Sequence, residues 1–150
     1  MFNKKKIVYM GTPLYAKEIL QVLIDAEDFD ISLVITQPDR PVGRKNVVTP
    51  PPVKVLAETY KIKILQPEKL TDEGVADAIK AAQPDFIVVA AFGQLLQKDI
   101  LGIAPCINLH ASLLPQYRGA SPVQQSLLHG DIYTGVTAML MEEGLDSGPI

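Results

Sequence analysis

The strongest constraint on this chain is the run Phe86-Ile87-Val88-Val89-Ala90-Ala91, which carries no polar side chain. Successive strand residues point to opposite faces, so a strand lying on a surface alternates apolar with polar residues. A run that is apolar at both parities needs cover on both faces, as a central parallel strand has when helices lie above and below it. The rest of the chain offers such cover in alternation, the pattern of βαβ units around a largely parallel sheet. Ile7 to Met10 reads as the first strand. Thr12 is placed to cap a helix with Pro13 as its first residue, and Ala16, Ile19, Leu20, Leu23 and Ile24 form its apolar stripe. Ile31 to Thr36 reads as a second strand. Val53, Leu56, Ala57 and Tyr60 mark a short amphipathic helix before a strand at Ile62 to Leu65, and Val75, Ala78, Ile79 and Ala82 mark another helix. Cys106 to His110 follows as a strand. Ser121-Pro122 opens a helix that runs to His129 and ends at Gly130, and Gly135 to Met141 reads as a last strand. The expected class is α/β, a mostly parallel twisted sheet with helices on both faces. Gln37 to Pro52 is the exception, a proline-rich loop without periodicity, of a length more often functional than structural.

With 150 residues and 47% hydrophobic content, the chain suffices for one domain with a substantial core. A net charge of −3 and a pI near 5.3 argue against a surface that grips nucleic acid along its whole length, so any polyanion contact must be local. Lys4, Lys5 and Lys6 precede an apolar run too short for a signal-peptide core, and no run approaches membrane-spanning length. The single cysteine, Cys106, excludes an intrachain disulfide and is compatible with the cytoplasm, the expected location.

Several chemistries find no support. Gly11-Thr12-Pro13-Leu14-Tyr15-Ala16 lacks the second and third glycines of a dinucleotide-binding turn, and no Walker-type phosphate loop occurs. His110 and His129 have no metal-ligand spacing with each other or with Cys106, so no metal is expected. Asn108 and His110, two apart in one strand, should point to the same face with Cα atoms about 6.6 Å apart, a spacing that can bracket one reacting carbon. Cys106 lies about 13 Å from His110 by strand rise, too far for a thiolate and its base, and reads as a small core residue. Ser112, His110 and Asp146 are the residue types of a serine triad, but Ser112 lacks the Gly-x-Ser-x-Gly elbow. The spacing best suits a reaction without a protein nucleophile. In that reading Asn108 donates to a carbonyl oxygen, His110 handles a proton, and a carboxylate tunes the histidine while an external amine or water attacks; the alternative is that Asn108 and His110 are hydrogen-bonded strand-end residues. Asp146, in the turn-rich Glu142 to Pro149 segment, is the candidate carboxylate; the alternative is a turn aspartate that satisfies its own backbone. His129, at a helix C-terminus, reads as structural.

Three motifs carry a family resemblance: Val8-Tyr9-Met10-Gly11-Thr12-Pro13, Thr36-Gln37-Pro38-Asp39-Arg40-Pro41-Val42-Gly43-Arg44, and Asn108 to Pro122. Thr134-Gly135-Val136-Thr137 and Gly144-Leu145-Asp146-Ser147-Gly148 complete the match. Together they resemble the amino-terminal catalytic domain of the methionyl-tRNA formyltransferases, from the first strand to the last residue. The Asn108 to Pro122 segment is shared among folate-dependent formyltransferases, whereas the Gln-Pro-Asp-Arg-Pro loop is absent from the purine-pathway enzymes. The resemblance implies a Rossmann-like formyltransferase fold and transfer of a formyl group from 10-formyltetrahydrofolate to the α-amino group of methionyl-initiator tRNA. It implies Asn108, His110 and Asp146 as the catalytic trio. It also implies Ser112, Leu113, Leu114 and Pro115 as the tetrahydrofolate-binding turn, with Phe92 and Gly93 beside it, and Arg44, Arg40 and Lys45 as tRNA contacts.

One departure is local: Lys45-Asn46-Val47-Val48 carries one lysine where the family often has a Gly-Lys-Lys run, so weaker phosphate binding is expected. Another is length, since the chain stops at Ile150, four residues after Asp146. The expectation is therefore a catalytic domain over residues 1–150, incomplete at its C-terminal end and without the family's C-terminal tRNA-binding domain, monomeric and with little activity of its own. The competing readings are another folate-dependent formyltransferase with a sugar amine as acceptor, a formyltetrahydrofolate hydrolase, and a folate-binding or tRNA-binding module without turnover.

Overall fold

The computed structural model describes residues 3–150. Its centre is a six-stranded sheet built from β1 (Lys5–Gly11), β2 (Phe29–Ile35), β5 (Ile64–Leu65), β6 (Phe86–Ala90), β7 (Cys106–His110) and β8 (Thr137–Leu140). Across the sheet the order is β5-β2-β1-β6-β7-β8. All neighbours are parallel except β7 and β8, which are antiparallel. The expected α/β class is borne out, with Phe86–Ala90 paired on both edges and its last four residues buried.

Alternation along the central strands divides the core in two. Val8, Met10, Ile87, Val89 and Cys106 pack with Val75 and Ile79 of α3 (Val75–Ala81) and Ile100 of α4 (Lys98–Leu101). Ile7, Tyr9, Val88 and Ala90 pack on the opposite face with Ala16 and Leu20 of α1 (Leu14–Asp25) and Val53, Leu56 and Ala57 of α2 (Pro52–Thr59). Each fully buried aliphatic side chain is worth about 1.5–3 kcal/mol of transfer free energy, so these two layers dominate the stability. Tyr9 is the largest fully buried side chain. Its phenol donates to the Ala16 carbonyl at 2.6 Å, as a buried hydroxyl must find an acceptor.

The chain runs from β1 outward to β2 and β5, then returns to lay β6 on the other edge of β1. That reversal creates a switch point at the C-terminal ends of β1 and β6, where open α/β sheets form their ligand crevice. Gly11 makes the approach possible. A Cβ there would lie 2.7 Å from the Ala16 Cβ, 2.8 Å from the Ala90 carbonyl oxygen and 2.9 Å from the Tyr9 ring.

Several local expectations need correction. Thr12 does not cap α1; Pro13 occupies that position with no side-chain cap. The Thr12 hydroxyl instead faces the Phe92 carbonyl at 3.5 Å and accepts from the Gln37 amide at 3.4 Å, so a contact across the crevice replaces the local one. Ser121 likewise precedes α5 (Pro122–Leu128) without a side-chain cap, and His129 is the C-cap of that helix. The loop Gln37 to Pro52 is not without structure: β3 (Arg40–Val42) and β4 (Val47–Thr49) form an antiparallel hairpin. Both of its strands are exposed, so no apolar alternation announces them. The second strand begins at Phe29, and β5 and β8 are shorter than the patterns at Ile62 to Leu65 and Gly135 to Met141 suggest. None of the described helices is long and apolar enough to cross a membrane.

The packing at Gly11 predicts that Gly11→Ala will destabilise the protein by about 1–3 kcal/mol, the usual cost of forcing extra atoms into a filled core. Urea denaturation monitored by circular dichroism measures it.

Candidate active site

The side chains that define the site come from the end of β7 and from the segment after β8. On β7, Asn108 and His110 share the parity of Cys106 and so project to one face. Asp146 reaches them from a backbone in the left-handed region, at φ +48°. One carboxylate oxygen, Oδ1, accepts from Asn108 Nδ2 at 3.4 Å and lies 3.7 Å from His110 Nδ1. The other, Oδ2, accepts from the Gly119 amide at 2.7 Å. The His110 and Asp146 side chains are only 7% and 8% exposed, so the pair meets in a largely desolvated place. The structure thus brings all three sequence-predicted residues together. Asp146 is not a turn aspartate satisfied by its own backbone, because its partners are 27 to 38 residues away.

His110 is held from its other side as well. Its Nε2 lies 2.8 Å from the Tyr117 carbonyl oxygen. A carbonyl only accepts, so Nε2 carries the hydrogen, and Nδ1 is the ring nitrogen left facing Asp146. Both contacts to Asp146 Oδ1, at 3.4 and 3.7 Å, are longer than a typical hydrogen bond.

Between His110 and Tyr117 the chain makes the turn that contains Ser112 to Pro115, with a cis peptide bond at Leu114-Pro115. Ser112 is fully buried and its hydroxyl donates to the Gln116 carbonyl at 2.6 Å. Its proton is spent inside the turn, in keeping with the rejection of a serine nucleophile. Thr137, which pairs with His110 across β7 and β8, donates to the Ser112 carbonyl at 2.7 Å and accepts from the Leu114 amide at 3.1 Å. Leu113 and Pro115 remain exposed while Leu114 is half-buried. Cys106 lies in the core with its thiol toward the Ala104 carbonyl, and burial pushes its pKa up to about 11.

A cleft of about 990 Å³ opens beside the switch point. Its walls include Thr12, Gln37, Pro38, Phe92, Gly93 and Leu95, with Arg40, Val42 and Thr49 from the hairpin. Asn108, His110 and Asp146 are not among its lining residues. Phe92 is buried in the core. Its carbonyl accepts from Gln37 Nε2 at 3.1 Å, so it meets the cleft largely through its backbone. The sequence did not reveal how the hairpin is fastened. Asp39 accepts from Lys54 Nζ at 2.8 Å and from Gln66 Nε2 at 2.7 Å, and those partners hold its carboxyl below its ordinary pKa. Arg40 forms an exposed pair with Glu68 at 3.4 Å, whereas Arg44 and Lys45 stand exposed in the turn between the hairpin strands. Arg118 is also exposed. Tyr117 and Thr137 were missed as well. The register of Thr137 opposite His110 is the only clue to its role, and it exists only once β8 is known to be antiparallel.

Among the described residues, no group of three or more His, Cys, Asp or Glu side chains could hold a metal ion. The Asn108 amide and the His110 imidazole thus meet at one largely desolvated carboxylate.

Comparison with known proteins shows the family of the chain. The sequence profile of the family described as Formyl transferase matches residues 5–150, and the chain belongs to that family. It is 72% identical over 147 residues to a methionyl-tRNA formyltransferase of Sulfurovum sp. (strain NBC37-1), covering 98% of this chain and 48% of that protein. The chain spans about half the length of the curated relatives it matches. Among solved structures, phosphoribosylglycinamide formyltransferase from Bacillus halodurans superposes with a TM-score of 0.75 at 24% identity, over 97% of this chain and 76% of that one. A formyltetrahydrofolate deformylase from Pseudomonas syringae pv. tomato superposes with a TM-score of 0.70 at 26% identity, over 98% and 49%.

Burial and the raised pKa predict that Cys106 will resist alkylation by iodoacetamide at pH 8 in the native protein and react at the rate of a free thiol once unfolded. Mass spectrometry of samples quenched over time follows both.

Proposed function

We propose that this chain forms the catalytic centre of an enzyme that moves a formyl group from 10-formyltetrahydrofolate to the α-amino group of methionyl-initiator tRNA. The observation that carries the reading is the convergence of Asn108 Nδ2 and His110 Nδ1 on one oxygen of Asp146, at 3.4 and 3.7 Å. The amide of Asn108 donates to the formyl oxygen as the acceptor nitrogen bonds to the formyl carbon, stabilising the oxyanion of the tetrahedral intermediate. His110 takes the proton of the attacking amine on Nδ1, so that the imidazolium formed shares that charge while Asp146 faces it at 3.7 Å. When the bond from carbon to the carrier nitrogen breaks, the proton lost by the amine balances the one gained by the departing nitrogen. Asp146 is suited to this passage because its second oxygen stays fixed on the Gly119 amide.

The exposed Leu113 and Pro115 beside His110 fit a flat ring system against an apolar wall, and the buried hydroxyl of Ser112 shapes that turn rather than touching the ligand. Phe92 and Gly93, on the neighbouring strand end, lie toward the cleft under the hairpin. Arg44 and Lys45 on the exposed hairpin turn supply local positive charge on a chain of net charge −3, and phosphate contact at this one place is consistent with that balance. Arg40, with its exposed partner Glu68, is the weaker candidate. The name of the 72% identical relative favours methionyl-tRNA as acceptor over an amino sugar or water.

In protein expressed from its complete reading frame, formylation should be faster with methionyl-initiator tRNA than with an amino sugar nucleotide or water; preference for either of the others would reject the acceptor. His110→Ala should cut kcat by about 10²–10⁴-fold and Asn108→Ala by about 10²–10³-fold, with folate binding by calorimetry largely kept. Arg44→Ala should raise KM for the tRNA about tenfold with kcat unchanged, and should flatten the logarithmic salt dependence of binding by about one unit.

A further inference from the structure

Tyr117 is the residue at the site that the reaction above does not use, and it is held in a way that needs explanation. Its backbone lies at φ +56°, a region that bulky side chains rarely enter. Its carbonyl oxygen is the group facing His110 Nε2 at 2.8 Å. Its phenol donates to Asp131 Oδ2 at 2.6 Å, and its ring lies 5.5 Å from that of His129 at an angle of 42°. Asp131 is itself tied to the end of α5, its amide donating to the Ser126 carbonyl at 3.0 Å. A continuous link therefore runs from the end of α5 through Asp131, the Tyr117 side chain and the strained Tyr117 backbone to the imidazole.

We propose that Tyr117 and Asp131 are positioning residues for His110: the tether holds the Tyr117 carbonyl on Nε2 and so reserves Nδ1 for the reaction. Without the tether, Tyr117 can relax out of the left-handed region, its carbonyl turns away, and Nε2 loses the acceptor that keeps its hydrogen in place. The ring then divides between two tautomers, one of which places the hydrogen on the wrong nitrogen. The groups that face His110 are Asp146 at Nδ1 and the Tyr117 carbonyl at Nε2. Asp131 and His129 act on it only through Tyr117. The inference rests on the role given to His110 under the proposed function.

The test uses protein expressed from its complete reading frame. Tyr117→Phe and Asp131→Ala should each lower kcat about 3- to 10-fold, the loss that one hydrogen bond supports, with KM for the formyl donor nearly unchanged. The double variant should lose no more than either single one, because both cut the same link. Asp131→Asn, which keeps an acceptor for the phenol, should recover most of kcat. Spectra of ¹⁵N-labelled histidine should show His110 Nε2 as the protonated nitrogen in the parent protein and a tautomer mixture in Tyr117→Phe. Unchanged kcat, losses that add, or an unaltered ring-nitrogen pattern in Tyr117→Phe would overturn the tether. The spectra need no turnover, so failure of the parent protein to transfer a formyl group would reject the functional reading while the tether is still measured.

Discussion

The pairing of β6 against β1 is the contact on which the rest of the architecture depends. It is the step at which the chain reverses its direction across the sheet, and it requires Gly11 to leave room for the Ala90 carbonyl. β1 and β6 are paired on both edges and apolar at both parities, so both of their faces need cover, which α1 with α2 and α3 with α4 supply. The same reversal opens the strand ends toward one side, where the crevice, the hairpin and the neighbouring end of β7 meet. Core and site are products of one topological event.

The polar residues at those strand ends are organised by long-range contacts. Asp146 is gripped through both oxygens by groups contributed by β7 and by the turn after it. Thr137 ties β8 to the turn at Ser112 and Leu114, and Tyr15 of α1 donates to the Leu109 carbonyl at 3.0 Å. Backbone strain collects here too: Ala91, Tyr117 and Asp146 all hold positive φ without being glycine, and such conformations persist only where surrounding contacts over-determine them. Desolvation strengthens each of these interactions, because the charges and dipoles around His110 are shielded by little water. Such preorganisation is what the proposed acyl transfer without a protein nucleophile demands.

Legibility in the sequence followed burial. Phe86 to Ala91 announced a central strand because covering both faces leaves no polar residue behind, and the helix stripes at Ala16 and Ile79 were visible for the same reason. The hairpin at Arg40–Val42 and Val47–Thr49 was hidden because it buries neither face. Thr12 misled because a hydroxyl before a helix ordinarily caps it, yet here Gln37 and Phe92, just beyond β2 and β6, lie within its reach and Pro13 takes the cap position. Serine and aspartate in a glycine-rich segment satisfy local turns as readily as distant groups, so the residues around Asp146 left two readings open.

The sequence by itself determined the α/β class, the paired placement of Asn108 and His110 on one strand face, and membership in a family whose motifs span the chain. Those properties are periodic or local, and they survive without knowledge of what packs against what. Only the tertiary structure decided that Asp146 meets His110 rather than its own turn, that Ser112 spends its hydroxyl on Gln116, and that Tyr117 aims its carbonyl at the imidazole. Each of these depends on segments brought together by the antiparallel return of β8 and by the turn after β7. Their energies lie in specific donors and acceptors a few ångströms apart, and no periodicity of the chain encodes such distances.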